Sequence, residues 1–169
     1  GKSRSLPINT VIENAKKILD LGYKEIVLTG VNTGDYTYQN GSPKVNKLID
    51  ILYDLEKLNI PRIRISSIEP NLLTDEIIEL VGSSGNFCNH FHIPLQSGDP
   101  ETLKLMRRRY NREYYAGLIE KLNNKIPGIG IGVDVIIGFP GETDERFWNT
   151  FNFLESLQIS YLHVFTYSE

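Results

Sequence analysis

Apolar residues recur along the chain in two alternating rhythms. Val11, Ala15, Ile18 and Leu19 share one helical face, Gly22 follows them, and Thr10 with Glu13 has capping-box spacing, which predicts a helix from about 10 to 21. Glu25-Ile26-Val27-Leu28-Thr29-Gly30 then reads as a short buried strand running into the glycine-bearing loop Gly30 to Gly34. A polar connection from Tyr36 to Pro43 leads to Val45, Leu48, Ile49, Leu52 and Leu55, one face of a second helix. Ile63 and Ile65 alternate with Arg62 and Arg64 in the next strand, which ends in Ser66-Ser67-Ile68-Glu69-Pro70.

The alternation continues to the end. Thr74 caps a helix through Val81 that Gly82 stops, and a short strand covers His90 to Ile93. Asp99 before Pro100 is an N-cap followed by proline at the first helical position, opening a helix to about Met106. Asn111 caps another, with Tyr115, Leu118, Ile119 and Leu122 inward and Pro127-Gly128 at its end. Ile131, Val133, Val135 and Ile137 make the strongest strand, ending in Gly138-Phe139-Pro140-Gly141. Thr143 opens the last helix, where Phe147, Trp148, Phe151 and Leu154 supply a large apolar face, and Tyr161 to Thr166 is the final strand.

Five strands spaced about 34 residues apart have the size of βαβ units, so the fold class is α/β with parallel strands and right-handed crossovers. No GxGxxG or P-loop follows a strand, which removes the main support for a nucleotide-binding doubly wound sheet. Polar, glycine-rich clusters follow each of the first four strands instead, as in barrels whose chemistry collects at the carboxyl ends. A closed eight-unit barrel needs about 250 residues. The 169 residues therefore predict a single domain forming a partial (β/α) TIM-like barrel. The chain opens on a helix and stops in a strand, and the unpaired strand edges predict a tendency to self-pair.

Composition narrows the partners. With 18 basic and 21 acidic side chains the formal charge is −3, which excludes a histone-like basic wrapper and leaves no expectation of DNA. The lone Cys88 excludes a disulfide framework, a cysteine-rich zinc site and an iron-sulfur cluster held by this chain alone. Gly1-Lys2-Ser3-Arg4-Ser5 is basic but does not lead into a signal-peptide core, and no window approaches the roughly 20 apolar residues of a membrane span. A cytoplasmic protein with no membrane partner is expected.

Four loops are expected to meet at one mouth: Gly30 to Asp35, Ser66 to Asn71, Pro94 to Asp99, and Asp134 with Gly138 to Thr143. Each alone reads equally as a turn and a helix cap. Glu69 at a strand end suits ribose hydroxyls or an ammonium group, or is an exposed loop carboxylate. Gln96 and Ser97 suit a nucleoside edge, or build the turn into the Asp99 cap. Asp134 on the most apolar strand requires a partner, either a ligand or an arginine such as Arg64. His90 and His92 share a strand face at a spacing that some metal-dependent hydrolase barrels use, but no clear third ligand is near in sequence and no metal site is assigned. Arg107, Arg108, Arg109 and Arg112 beside Tyr110, Tyr114 and Tyr115 form either a solvated connection or an RNA edge with phosphate contacts and stacking aromatics.

The segments Leu28-Thr29-Gly30-Val31-Asn32-Thr33-Gly34-Asp35-Tyr36, Ser66-Ser67-Ile68-Glu69-Pro70, His92-Ile93-Pro94-Leu95-Gln96-Ser97-Gly98, Met106-Arg107-Arg108 and Asp134 to Thr143 resemble, in this order, the radical SAM methylthiotransferases. Gln-Ser-Gly is similar to the tRNA-modifying members, and Thr-Gly-Val-Asn-Thr-Gly with Ser-Ser-Ile-Glu-Pro to the branch acting on N6-threonylcarbamoyladenosine beside the anticodon. The resemblance implies a core that handles S-adenosylmethionine and [4Fe-4S] clusters in a longer enzyme, with tRNA as partner. It implies an adenosyl radical that takes a hydrogen from the adenine ring before a methylthio group is installed. Gly30 and Asn32 match the region that meets the methionine amino group, and Glu69, Gln96, Ser97 and Asp134 become candidates for the remaining cofactor contacts. Arg107, Arg108 and Arg109 become the candidate tRNA edge. The family's three cluster cysteines precede the segment matching Gly1 to Ser5, so these 169 residues alone, without that loop, the N-terminal domain or the C-terminal RNA-binding domain, are expected to be inactive and to bind no cofactor. Two other readings remain: a metal-dependent hydrolase or lyase barrel using His90 and His92, and a non-enzymatic RNA-binding scaffold.

Overall fold

The computed structural model describes residues 4–39, 41, 43 and 45–168; the basic start at residues 1–3 lies outside them. They form two compact units. The first runs to Ile68 and adds Leu72–Cys88; the second joins Glu69–Asn71 to the chain from Asn89 onward.

In the first unit, α1 (Ile8–Asp20) leads to β1 (Glu25–Leu28), a 3-10 turn at Thr33–Asp35, β2 (Thr37–Tyr38), β3 (Asn46–Lys47), α2 (Leu48–Glu56), β4 (Arg62–Ile65) and α3 (Asp75–Ser83). β1 and β4 are parallel, with Ile26 opposite Ile63 and Leu28 opposite Ile65. Alternation in β4 buries Ile63 and Ile65 and turns Arg62 and Arg64 outward. Their Nε atoms donate to Glu25 at 2.8 and 3.0 Å. Hydrogen bonds from Arg62, then Arg64, hold the Glu25 carboxyl below its usual range. Leu48, Leu52 and Leu55 of α2 and Ile77, Ile78 and Val81 of α3 are buried, each contributing about 1.5–3 kcal/mol. Cys88 belongs to the parallel segment beside β4, where its N–H donates to the Ile63 carbonyl at 2.8 Å.

In the second unit, β5 (His90–His92), α4 (Pro100–Leu105), α5 (Arg112–Lys125), β6 (Gly130–Ile137), α6 (Asp144–Glu155) and β7 (Tyr161–Thr166) follow in order. The sheet is β5-β6-β7, all parallel. Phe91, Ile131, Val133 and Val135 are buried, whereas β7 is exposed along its length. Tyr115 of α5 is fully buried, donates to the Ile93 carbonyl at 2.6 Å and meets Phe153 of α6 edge-on. Among the described residues, two strands pair in parallel in the first unit and three in the second, and they alternate with helices as the spacing predicts.

Several local expectations are corrected. α1 begins at Ile8, because the Pro7 carbonyl accepts the Val11 N–H and starts the helical ladder ahead of Thr10; no side chain caps it. Val45 stands outside α2 and half exposed, and the polar connection contains the small antiparallel β2-β3 pair. Gly82 does not stop α3, which continues to Ser83. Trp148 and Phe151 are exposed and α6 instead buries Thr150 and Phe153. The predicted apolar face is therefore displaced around the helix.

Candidate functional site

The loop after β1 builds a cavity of about 650 Å³ within the first unit, lined among others by Leu28, Gly30, Asn32, Thr33 and Tyr36. Thr33 Oγ1 lies 3.0 Å from Ser66 Oγ, and the Ser66 N–H donates to the Leu28 carbonyl, so the two strand ends hold the loop in place. Tyr36 donates to the Leu6 carbonyl at 2.6 Å and closes it from the other side. Asn32 Oδ1 is buried there without a hydrogen-bond partner. An unmet buried acceptor costs about 1–3 kcal/mol, and a donor such as an ammonium group relieves it. Gly30 and Asn32 thus share one cavity.

Glu69, Gln96, Ser97 and Asp134 belong to the second unit. Glu69 Oε1 is 3.8 Å from Arg108 Nη1, and neither side chain is fully buried. Gln96 has φ +70°, a left-handed conformation costing a non-glycine residue about 1–2 kcal/mol. It is fixed by two backbone bonds to one edge of β6, either side of Val135, its N–H donating to the Asp134 carbonyl at 2.8 Å and its own carbonyl accepting from the Ile136 N–H at 2.9 Å. That bend separates the Gln96 side chain from the alternation of β5. Ser97 is fully buried, its hydroxyl 3.1 Å from Thr150 Oγ1 and accepting the Asp99 N–H; this is the turn-building role.

Asp134 does have a partner, but not Arg64, which is bound to Glu25. Its Oδ1 lies 2.8 Å from His92 Nε2 and 3.2 Å from His163 Nδ1. His90 instead sets Nε2 2.8 Å from the Tyr161 hydroxyl, which His92 Nδ1 also approaches at 3.4 Å. The His90/His92 pair therefore divides, and the nearby acceptor and third imidazole that the local sequence withheld come from β6 and β7. The signal was present as Asp134 on β6 and His163 on β7, but their register is a long-range fact.

The arginine run also divides. Arg107 and Arg109 are exposed, Arg108 faces Glu69, and the Arg112 guanidinium sits 4.6 Å over the Phe153 ring. Tyr110 and Tyr115 are buried, their hydroxyls donating to the carbonyls of Pro94, Leu95 and Ile93, so neither stacks on RNA. Burial pushes both phenols far above their ordinary range. Tyr114 is exposed.

Among the described residues no helix is long and apolar enough to cross a membrane. Comparison with known proteins finds 46% identity over the whole chain to the threonylcarbamoyladenosine tRNA methylthiotransferase MtaB of Bacillus subtilis, of which it spans 37%. MtaB of Rickettsia prowazekii is 41% identical, with 40% of its length covered. A tRNA-2-methylthio-N(6)-dimethylallyladenosine synthase of Anoxybacillus flavithermus is 38% identical over 99% of the chain and is covered over 32% of its own length. Among solved structures, the radical SAM enzyme coproporphyrinogen III oxidase (HemN) of Escherichia coli superposes with a TM-score of 0.66 at 18% identity, over 93% of this chain and 38% of that one. This likeness shows the fold, a partial (β/α) TIM-like barrel. The description "Radical SAM superfamily" matches residues 1–154, and with the parallel α/β fold it places this chain in that superfamily.

Proposed function

We propose that this chain is the cofactor-handling core of a tRNA methylthiotransferase acting on N6-threonylcarbamoyladenosine, with tRNA as partner and the cytoplasm as compartment. The observation that carries the reading is the 46% identity to the Bacillus subtilis enzyme across all 169 residues, which exceeds the 38% to a dimethylallyladenosine synthase. The chain spans 37% of that enzyme, so the complete reaction belongs to a longer protein under this reading.

The cavity of the first unit fits the methionine end of S-adenosylmethionine. When bound, S-adenosylmethionine supplies an adenosyl and a methyl group. Asn32 Oδ1, buried and unpartnered beside Gly30, accepts from the methionine ammonium, and the surrounding cavity has the size of a small-molecule site. In the second unit, taken by itself, Glu69, its carboxylate 3.8 Å from Arg108, is a candidate acceptor for ribose hydroxyls. Gln96, held out of the strand alternation by its left-handed backbone, offers an amide to a nucleoside edge. Arg107 and Arg109 supply exposed cations for tRNA phosphates. A [4Fe-4S] cluster does not fit these residues, since it requires three or four thiolates and the sequence contains Cys88 alone. No step through a cluster is derived.

The test exchanges the matching segment of the Bacillus subtilis enzyme for this chain and measures tRNA nucleosides by mass spectrometry. Methylthiolated threonylcarbamoyladenosine supports the reading. A folded chimera that retains its cluster spectrum and forms none, or modifies the dimethylallyl nucleoside instead, overturns it.

A further inference from the structure

The polar face of the β5-β6-β7 sheet gathers His92, Asp134 and His163 on three successive parallel strands. Asp134 and His163 are register partners, and His92 stands opposite Gly132, two residues before Asp134 on the same face. Asp134 Oδ1 is 2.8 Å from His92 Nε2 and 3.2 Å from His163 Nδ1, and one ligand atom from each residue falls within 4.8 Å of the others. Metal bonds of about 2.0–2.2 Å place neighbouring donor atoms roughly 3 Å apart, which matches both measured separations.

His163 Nδ1 is within hydrogen-bond distance of Asp134 Oδ1, whereas the His92 contact leaves room for a cation. His92 Nε2 is buried and makes no hydrogen bond despite its 2.8 Å approach to Oδ1. His92 Nδ1 lies 3.4 Å from the Tyr161 hydroxyl, which is held 2.8 Å from His90 Nε2. With the Nδ1 proton given to Tyr161, Nε2 keeps a free lone pair beside the carboxylate, off the direct line to Oδ1. Those two acceptors repel unless a cation joins them, and a metal-bound histidine is ordinarily oriented by such a contact through its other nitrogen. The His92 and Asp134 side chains are only 13% and 17% exposed, whereas His163 at 52% leaves one side open. That opening serves as entry path and as room for further ligands.

We propose that His92 Nε2, Asp134 Oδ1 and His163 Nδ1 bind one divalent first-row transition ion of the zinc class, with its remaining positions open to water or an oxygen donor. Two imidazoles and one carboxylate without thiolate suit Zn²⁺, Co²⁺, Fe²⁺ or Ni²⁺. The proposal does not depend on the methylthiotransferase reading and is tested separately from it.

The experiment titrates Zn²⁺ into the EDTA-treated chain by calorimetry. One ion per chain is expected at micromolar or tighter affinity. Asp134→Asn and His163→Gln should each weaken it by about tenfold or more, while Cys88→Ser, which is neither a proposed ligand nor a contact of one, leaves it within a few-fold. If either ligand variant fails to fold by circular dichroism, the native chain decides through its imidazole NMR resonances. Zinc should perturb the His92 and His163 rings at one equivalent and His90 less. No binding at micromolar zinc, binding unaffected by both ligand variants, or zinc perturbing His90 more than the other two rings overturns the proposal.

Discussion

Thr150, in the middle of α6, sets its hydroxyl 3.1 Å from the Ser97 hydroxyl and accepts the Gly98 N–H at 3.1 Å, so one side chain ties a helix to the loop after β5. All three residues are buried. Thr150→Val preserves shape and removes the acceptor, leaving buried donors unmet. It should cost about 1–3 kcal/mol in urea unfolding, and a change below experimental error would show that the bond is not needed.

Gly98 extends the same contact. A Cβ there would stand 2.9 Å from the Phe153 side chain and from the Thr150 Cα, which is backbone and cannot swing aside. Gly98→Ala should therefore destabilise by about 1–3 kcal/mol through overpacking, measured in the same unfolding assay.

Asp99 connects this loop to acid sensitivity. Burial raises its pKa, but hydrogen bonds from Asn149 and from the Thr102 N–H and hydroxyl, with the Arg146 charge, outweigh that and hold it below its ordinary value. Its stabilisation is thus fully present above the unfolded-state pKa near 4 and is lost as pH falls through the lower folded value. Asp99→Asn keeps a good N-cap, so its deficit relative to the native chain should be largest near neutrality and shrink below about pH 4. Denaturation curves at pH 7 and pH 3 check this, and a deficit that grows on acidification would contradict it.

Two candidate contacts carry opposite demands on stability and binding. Asn32→Leu removes a buried acceptor without a partner, so it should keep or raise the melting temperature while abolishing S-adenosylmethionine-induced stabilisation of the longer enzyme. Gln96→Gly relieves a left-handed residue and should keep stability within about 1 kcal/mol while weakening nucleoside binding. Thermal shift with and without ligand measures both. Loss of stability without loss of binding would assign either residue a structural role.

What the sequence made legible was local. Thr74, Asp99, Asn111 and Thr143 cap the helices they were expected to cap, since an N-cap bonds a donor only three residues away. The inward set of α5, Tyr115, Leu118, Ile119 and Leu122, also follows from helical spacing. The illegible parts were set by partners distant in the chain. Phe153, not Trp148, is buried because Tyr115 and Gly98 meet that side of α6. His163 finds Asp134 only through the β6-β7 register, and Tyr110 looked available for stacking until its hydroxyl was placed on the Pro94 and Leu95 carbonyls.

The bare backbone at Gly132 has a further consequence. A Cβ built there would fall 2.2 Å from the Tyr161 ring, the mobile end of a side chain on an exposed strand. One added methyl would evict the phenol and release both imidazoles it steadies, although it touches neither. Substitution tolerance at this position is therefore governed by whether the Tyr161 ring can swing aside, so a residue with no functional group reaches the imidazoles through its neighbour.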